Sequence, residues 1–534
     1  MNKYILFPVL ALGALASCVD DKGNYEYTPL NEATIEDIES SYSAISGITE
    51  IEIDPTIKGD IYEKDLSNYE FKWHVCGAGI GNDSHDHHVI SNEKVLKWLV
   101  DEPVGSYTLY LTVKDKTSGI EKLTSTSLQV SSPFGRGFML VGTDGKDDLA
   151  MIDMLAMPAT GDTAYVENAL TNDGSLHNPK SIFYTGSSYA NYQDYMWLFC
   201  EKGSAKLNSF TADGPEFDIL GTFASLGIAD NEYGHVNENI IGQFPVRAPG
   251  GTNMARTVIC MTDNCVYGPK SAYGEVYYAE PCNRMAASTT SPLFKFYPMV
   301  FYNGASTYIA ANSTPFYLYD TEHDKFVKIN ADFLGASNCT DLIDYSTDNW
   351  RFDCKSLGRT LVYGQNTSTP GMGYSYFVMK DVTKNDVFEI YSLYMPRTKE
   401  SFPIDLSKAK DFDKASLYSF IGCRRAVFYA VGSVLHQYDF ERNLYTSMDL
   451  GEEITMIKPE IYSARRHNDL MVATWDASAG QGHFMKLEIG ENPNTVEMAI
   501  RNDFLDEDGI EDPSKYLEKW PTRLKIVDAE WRVH

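Results

Sequence analysis

Short apolar runs, each broken by a polar turn and followed by a second run, constrain this chain more than any other feature. They read "GFMLVGTDGKDDLAMIDM", "DYMWLFCEKGSAKLNSF", "RTVICMTDNCVYG", "STYIAANSTPFYLYDTEHDKF", "RTLVYGQNTS", "AVFYAVGSVLHQYDFERNL" and "DLMVATWDASAGQGHFMKLEI". Starting near Phe138, Met196, Val258, Tyr308, Leu361, Val427 and Leu470, they recur at intervals of 43 to 66 residues. Runs of about four to eight apolar residues bounded by turn residues read as strands. Long amphipathic helices are hard to find, and 35 tyrosines add to the β character.

Repeats of about 40–50 residues plus loops are the signature of propeller blades, each a four-stranded sheet. In the clearest units a strand, a tight turn and a strand ending in "LYD" or "QYD" resemble the inner two strands of a blade. The series fits a seven-bladed β-propeller over 133–534, with six or eight blades as alternatives because one degenerate blade would go unnoticed.

Residues 32–132 carry a different pattern. "ITEIEIDP" and "NYEFKWHVCG" alternate as strands do, and Trp73 is placed to fill a core between two sheets. "GSYTLYLTVKD" puts Tyr107, Leu109, Leu111 and Val113 on one face and Thr108, Tyr110 and Thr112 on the other. The order resembles the PKD branch of immunoglobulin-like sandwiches, with Gly105, Tyr107, Val113 and Asp115 matching its pattern. The expected fold class is therefore all-β, a PKD/Ig-like β-sandwich followed by a propeller.

The start of the chain is an address. Lys3 precedes an apolar stretch from Tyr4 to Ala16, which is too short to span a bilayer. It ends in Leu15-Ala16-Ser17-Cys18, a match to the bacterial lipobox, so 1–17 reads as a lipoprotein signal peptide, Cys18 as the lipidated anchor and 18–31 as a tether. Asp20 and Asp21 directly behind it resemble the signal that sends Bacteroidota lipoproteins to the outer face of the outer membrane. A net charge of −29 excludes nucleic acid as a partner and leaves the lipid as the means of membrane attachment.

Chemistry-bearing motifs are sparse. The chain has no H-E-x-x-H, G-x-S-x-G, P-loop or dinucleotide fingerprint, so no catalytic residue and no cofactor is assigned. His85, Asp86, His87 and His88 collect in a presumed loop, and 506–512 ("DEDGIED") holds a fragment of a calcium loop. Neither has the spacing of a complete metal site, and none is assigned. Cys260 with Cys265, and Cys339 with Cys354, read either as disulfides or as buried thiols. Aromatic loop segments are the better signal. Tyr189, Tyr192, Tyr195, Trp350, Tyr374 and Tyr376 are candidate ligand or partner contacts, weighed against packing between blades.

Taken together, the lipobox, "DDKGNYEYTPLNEATIE", the sandwich and the "GFMLVGTDGKDDLAMID" junction resemble the PKD-like family lipoproteins of Bacteroidota. Asp21, Lys22, Gly23, Asn24, Tyr25, Gly137 and Asp148 are the most telling residues. The resemblance implies an accessory surface subunit of a SusCD-type TonB-dependent importer. Its implied partners are a SusC-like transporter, a SusD-like lipoprotein and a further small surface lipoprotein. Oligopeptides lead over oligosaccharides as the captured nutrient, because peptidase genes are common neighbours in the family. The alternative is a surface-anchored propeller hydrolase or lyase that trims polymer before import.

Overall fold

A computed structural model describes residues 31–61, 65–77, 87–158, 163–186, 194–211, 214–227, 234–244, 259–269, 277–302, 316–332, 335–342, 352–354, 357–367, 373–394, 398–460, 469–490, 492, 494–501 and 519–533. Among them there is no α-helix, and no helix is long and apolar enough to cross a membrane. Two compact units divide the chain. The smaller holds most of the residues up to Gln129. The larger holds Val130–His534 together with Ser43–Thr49 and Val100–Val104.

The N-terminal sheets form as the alternation requires. One five-stranded sheet has the order Ser41–Ile45, Glu121–Ser131, Gly105–Asp115, Tyr69–Cys76, His87–Ser91. Two-stranded pairs join Ala33–Glu36 to Thr56–Gly59 and Glu50–Ile53 to Leu96–Leu99. Trp73 is buried, and its indole N–H donates to the Lys94 carbonyl at 3.2 Å. Tyr107, Leu109, Leu111 and Val113 are buried while Thr108, Tyr110 and Thr112 stay half-exposed. Asp115 ends its strand by accepting from the backbone of Thr117 and Ser118 and from the Asn31 amide, which ties the turn to the first strand.

The larger unit is a propeller. Its described residues form seven antiparallel sheets. Sheet two runs His177–Gly186, Asp194–Lys202, Ser204–Thr211, Gly214–Leu220 and sheet three Ile240–Phe244, Ile259–Thr262, Val266–Pro269, Tyr277–Pro281. Sheet four is Phe301–Tyr302, Phe316–Asp320, Lys325–Asp332, Gly335–Asp341 and sheet five Arg359–Asn366, Ser375–Asp381, Phe388–Tyr394, Thr398–Pro403. Sheet six is Leu417–Phe420, Ala426–Val431, Val434–Asp439, Leu444–Asp449. Sheet seven is Glu453–Pro459, Asp469–Asp476, Gln481–Ile489, Met498–Arg501, with Trp520–Thr522 also pairing its third strand. Sheet one takes Arg136–Thr143, Met151–Ala156 and Ala164–Val166 from the start of the unit, and its first strand, Lys525–Val533, from the end of the chain.

The apolar runs are continuous because each second strand is buried on both faces. Met196 and Leu198 pack toward sheet one while Trp197 and Phe199 pack toward sheet three. Tyr317 and Tyr319 meet sheet five, Phe316 and Leu318 meet sheet three. The same alternation continues through Tyr376/Phe377, Phe428/Tyr429 and Met471/Val472, and Phe138 and Leu140 pack on Met471 and Phe484 of sheet seven. Every sheet thus shares one apolar layer with each neighbour, and the last layer closes on the first.

Charged groups fasten the closure. Lys458 of sheet seven donates to Asp528 Oδ1 (2.9 Å), the Ala529 carbonyl (2.8 Å) and Glu530 Oε2 (2.9 Å). Asp528 Oδ2 in turn accepts from the Ile182 N–H of sheet two at 2.9 Å. Burial disfavours the Lys458 charge, but the two carboxylates and their hydrogen bonds win and hold its pKa above the ordinary lysine value. On the other edge Arg523 forks onto the buried Asp153 at 2.8 and 2.9 Å, and the Tyr165 hydroxyl donates to the same carboxylate.

The cysteines decide between the two readings: Cys260, Cys265, Cys339 and Cys354 are buried thiols that form no disulfide. Strand register sets Cys260 opposite Tyr267, not Cys265. Cys339 packs between sheets three and four, whereas Cys354 lies in the layer between sheets four and five.

Candidate binding surface

Sheets five and six bring one aromatic and ionic cluster to the loop ends of their strands. Tyr374 enters the second strand of sheet five, Tyr394 closes its third, and Glu400 and Phe402 lie on its fourth. Arg425 immediately precedes the second strand of sheet six. Its guanidinium carbon sits 5.5 Å from the Tyr374 ring centroid and 5.2 Å from that of Phe402, so the planar group is held between two aromatic faces. Nη1 lies 2.6 Å from Glu400 Oε2, and Nε 3.8 Å from Glu441 Oε1.

Local chemistry makes this arrangement rigid. The Tyr374 carbonyl accepts from the backbone N–H of Thr367 at 2.8 Å and from its hydroxyl at 3.0 Å, which fixes the backbone at the strand entry. Tyr394 packs on Tyr374 with centroids 5.3 Å apart, and Phe402 packs on buried Phe440 at 5.0 Å. Burial opposes the Arg425 charge, but Tyr376, Glu400 and Tyr374 keep its pKa above the ordinary value. Tyr374, Tyr394, Phe402 and Arg425 all remain half-buried. The result is a half-buried cluster of aromatic rings and hydroxyls around one cation paired with a carboxylate.

Among the predicted aromatics in the described residues, Tyr374 contributes its ring here. Tyr376 is a correction: it is 2% exposed, stacks on Phe420 at 5.0 Å and meets Phe440 edge-on, so it is core between sheets five and six. Tyr195 lies in the strand Asp194–Lys202 opposite Thr185, within a ladder and not in a loop. Tyr189, Tyr192 and Trp350, together with Cys18, Asp20 and Asp21, lie outside the described residues, as do His85, Asp86 and 506–512. His87 and His88 begin a strand and pair with Cys76 and Val75, which replaces the expected loop tip. Arg425, Glu400 and Phe402 escaped the sequence reading. The Arg424-Arg425 doublet ahead of "AVFYAV" was the available signal.

Histidine–carboxylate contacts occur on strand turns. His177 Nδ1 is 2.8 Å from Asp148, with Nε2 taken up by the Gly174 carbonyl at 2.9 Å, which leaves no ring nitrogen to act as a base. His323 meets Asp320 at 2.8 Å and His483 meets Glu452 at 2.9 Å. Ligand-type atoms of His235, Glu238 and Cys265 converge within 4.8 Å, as do those of Asp320, Glu322 and His323.

Residues 18–173 match the model of the PKD-like family. The N-terminal segment is PKD-like. The match runs past the sandwich through the first three strands that sheet one takes from this end of the chain, which is the junction the sequence singled out. Comparison with curated proteins gives no match. Among solved structures, a quinonprotein alcohol dehydrogenase-like protein from Bacteroides thetaiotaomicron is similar at 12% identity and a TM-score of 0.37, over 86% of this chain and 93% of that one. The WD40 domain of SCAP from fission yeast follows at 8% identity and 0.20, over 72% and 65%. PorZ, a surface component of the type-IX secretion system of Porphyromonas gingivalis, gives 10% and 0.16, over 74% and 59%.

Proposed function

We propose that this protein is a non-enzymatic, surface-exposed outer-membrane lipoprotein that serves as accessory subunit of a SusCD-type importer and helps capture oligopeptides or oligosaccharides. Lipid on Cys18 holds it to the membrane, Asp20 and Asp21 direct it outward, and the partners are the SusC-like transporter and the SusD-like lipoprotein. The PKD-like character of residues 18–173 supports the family-based part of this reading.

One observation carries the binding role. The Tyr374–Arg425–Phe402 cluster is half-exposed and sets aromatic rings beside a guanidinium, the chemistry that recognises rings or acidic peptide groups. Peptides lead, since Arg425 offers a fork for a terminal or side-chain carboxylate.

The test is binding of defined oligopeptide and oligosaccharide pools to the purified full-length protein, compared with Tyr374→Ala and Arg425→Ala. Each variant should weaken capture by about tenfold or more, the effect of losing about 1.4 kcal/mol or more at a well-packed anchor, while the melting temperature changes little. Unchanged capture in both variants would remove the platform from the binding role. Turnover of either pool, abolished by a single carboxylate change, would replace the whole reading with an enzyme.

A further inference from the structure

Sheet three carries a second constellation, at the opposite ends of the strands from the aromatic platform. His235 opens a single 3-10 turn, His235–Asn237, just before the first strand, and Cys265 sits in the hairpin that joins the second strand to the third. The turn is entered through Gly234 at φ 66°, and the Glu238 N–H closes it on the His235 carbonyl at 3.3 Å. Glu238 Oε1 lies 2.7 Å from His235 Nδ1 and accepts from the Asn264 amide at 3.0 Å. Its Oε2 accepts from the Asn264 N–H at 3.3 Å and from the Thr262 hydroxyl. The Cys265 N–H is fixed on Thr262 Oγ1 at 3.1 Å, and its thiol is fully buried.

We propose that His235, Glu238 and Cys265 form a zinc site. One nitrogen, one oxygen and one sulfur ligand within 4.8 Å of one another are the donor set of a borderline-soft ion, and hard cations such as calcium or magnesium do not seek a thiol and an imidazole. Ligands about 2.0–2.3 Å from a tetrahedral ion stand about 3.3–3.7 Å apart, so the three side chains reach coordination by small rotations. Thr262 and Asn264 already orient Glu238, which is the arrangement that metal-binding carboxylates require behind them. Binding sends the Cys265 thiol proton to solvent and moves the His235 ring proton from Nδ1 to Nε2, freeing the Nδ1 lone pair for the ion. His235 has a third of its side chain exposed while Glu238 has 14%, so the fourth position opens to water on the histidine side.

Chelator-stripped full-length protein titrated with cobalt(II) tests the site, because a thiolate–cobalt bond absorbs strongly in the near ultraviolet and zinc displaces the signal. One cobalt should bind per chain with that band, and zinc should abolish it. Cys265→Ser should remove the band, and His235→Ala should weaken binding by about tenfold or more. Cys423→Ser and His323→Ala, which alter an exposed thiol and the other ligand cluster, should leave both unchanged. Should Cys265→Ser fail to fold, His235→Ala decides alone, since its ring is partly in solvent. A wild-type protein without the thiolate band, or a His235→Ala variant that binds as wild type, overturns the proposal.

Discussion

Aspartate at the end of a strand is the residue that recurs with one job. Asp144, Asp320, Asp381, Asp439 and Asp476 each turn Oδ1 onto the backbone N–H groups two and three positions on. The "LYD" and "QYD" endings that mark the repeats are therefore turn caps: the carboxylate supplies the acceptor that the reversing backbone lacks. Hydrogen bonds from the Thr383 hydroxyl and backbone hold the Asp381 pKa down to about 2. Asp439 is fully buried, and Asp439→Ala should lower stability by about 1–2 kcal/mol in urea titrations, the usual cost of losing a side-chain cap.

A buried histidine sets a pH response at the same scale. His436 stacks on Tyr429 at 4.7 Å, contacts the Tyr445 hydroxyl at 2.7 Å, and has its pKa lowered by burial, with Asp411 and Lys410 acting in opposite directions. The unfolded imidazole takes up a proton near pH 6.5, before the folded one does. This contribution to stability is thus complete above about pH 6.5 and declines as pH falls toward the depressed folded value. His177 acts with the opposite sign, because Asp148 and the Gly174 carbonyl raise its pKa. Between pH 7.5 and 5.5 the urea midpoint of the wild type should shift downward relative to that of His436→Gln. An identical pH dependence in the variant would assign the response to other groups.

Among the elements, the second and third strands of the sheets were the legible ones. Burial on two faces writes an unbroken apolar run, and the capping aspartate marks where it turns. Loop aromatics were read less well. Tyr374 and Tyr376 stand two apart in one short segment, yet the first lies at the surface and the second in the layer against Phe420, a difference set by strand entry and not by residue type. The closing strand Lys525–Val533 was missed because its partners, Arg136–Thr143, lie nearly 400 residues earlier, and no local pattern records that pairing. Arg425 and Lys458 were missed for the same reason: their roles come from groups brought together by neighbouring sheets. A fragment from residue 130 onward retains every strand of the seven sheets and should melt cooperatively with a β-rich circular dichroism spectrum. Removal of Lys525–Val533 from it takes away both the Asp528 clasp and the first strand of sheet one, and should abolish the cooperative transition. A truncated fragment that melts like its parent would contradict closure by the C-terminal strand.

At the scale of the whole molecule, a PKD-like segment and a propeller place two β scaffolds on one acidic chain. Neither fold dictates a function, which has to reside in sites built on it. The aromatic–guanidinium platform of sheets five and six is the site proposed for it, and the proposed role as an accessory importer subunit joins it to an outer-membrane address. The most direct measurement is purification of the native complex from outer membranes through a tag on the SusC-like partner. This chain should elute with the transporter and its SusD-like subunit in fixed stoichiometry, and should stay with them after the membrane is dissolved in mild detergent. A tagged transporter that elutes with its SusD-like partner but without this chain would contradict the accessory role.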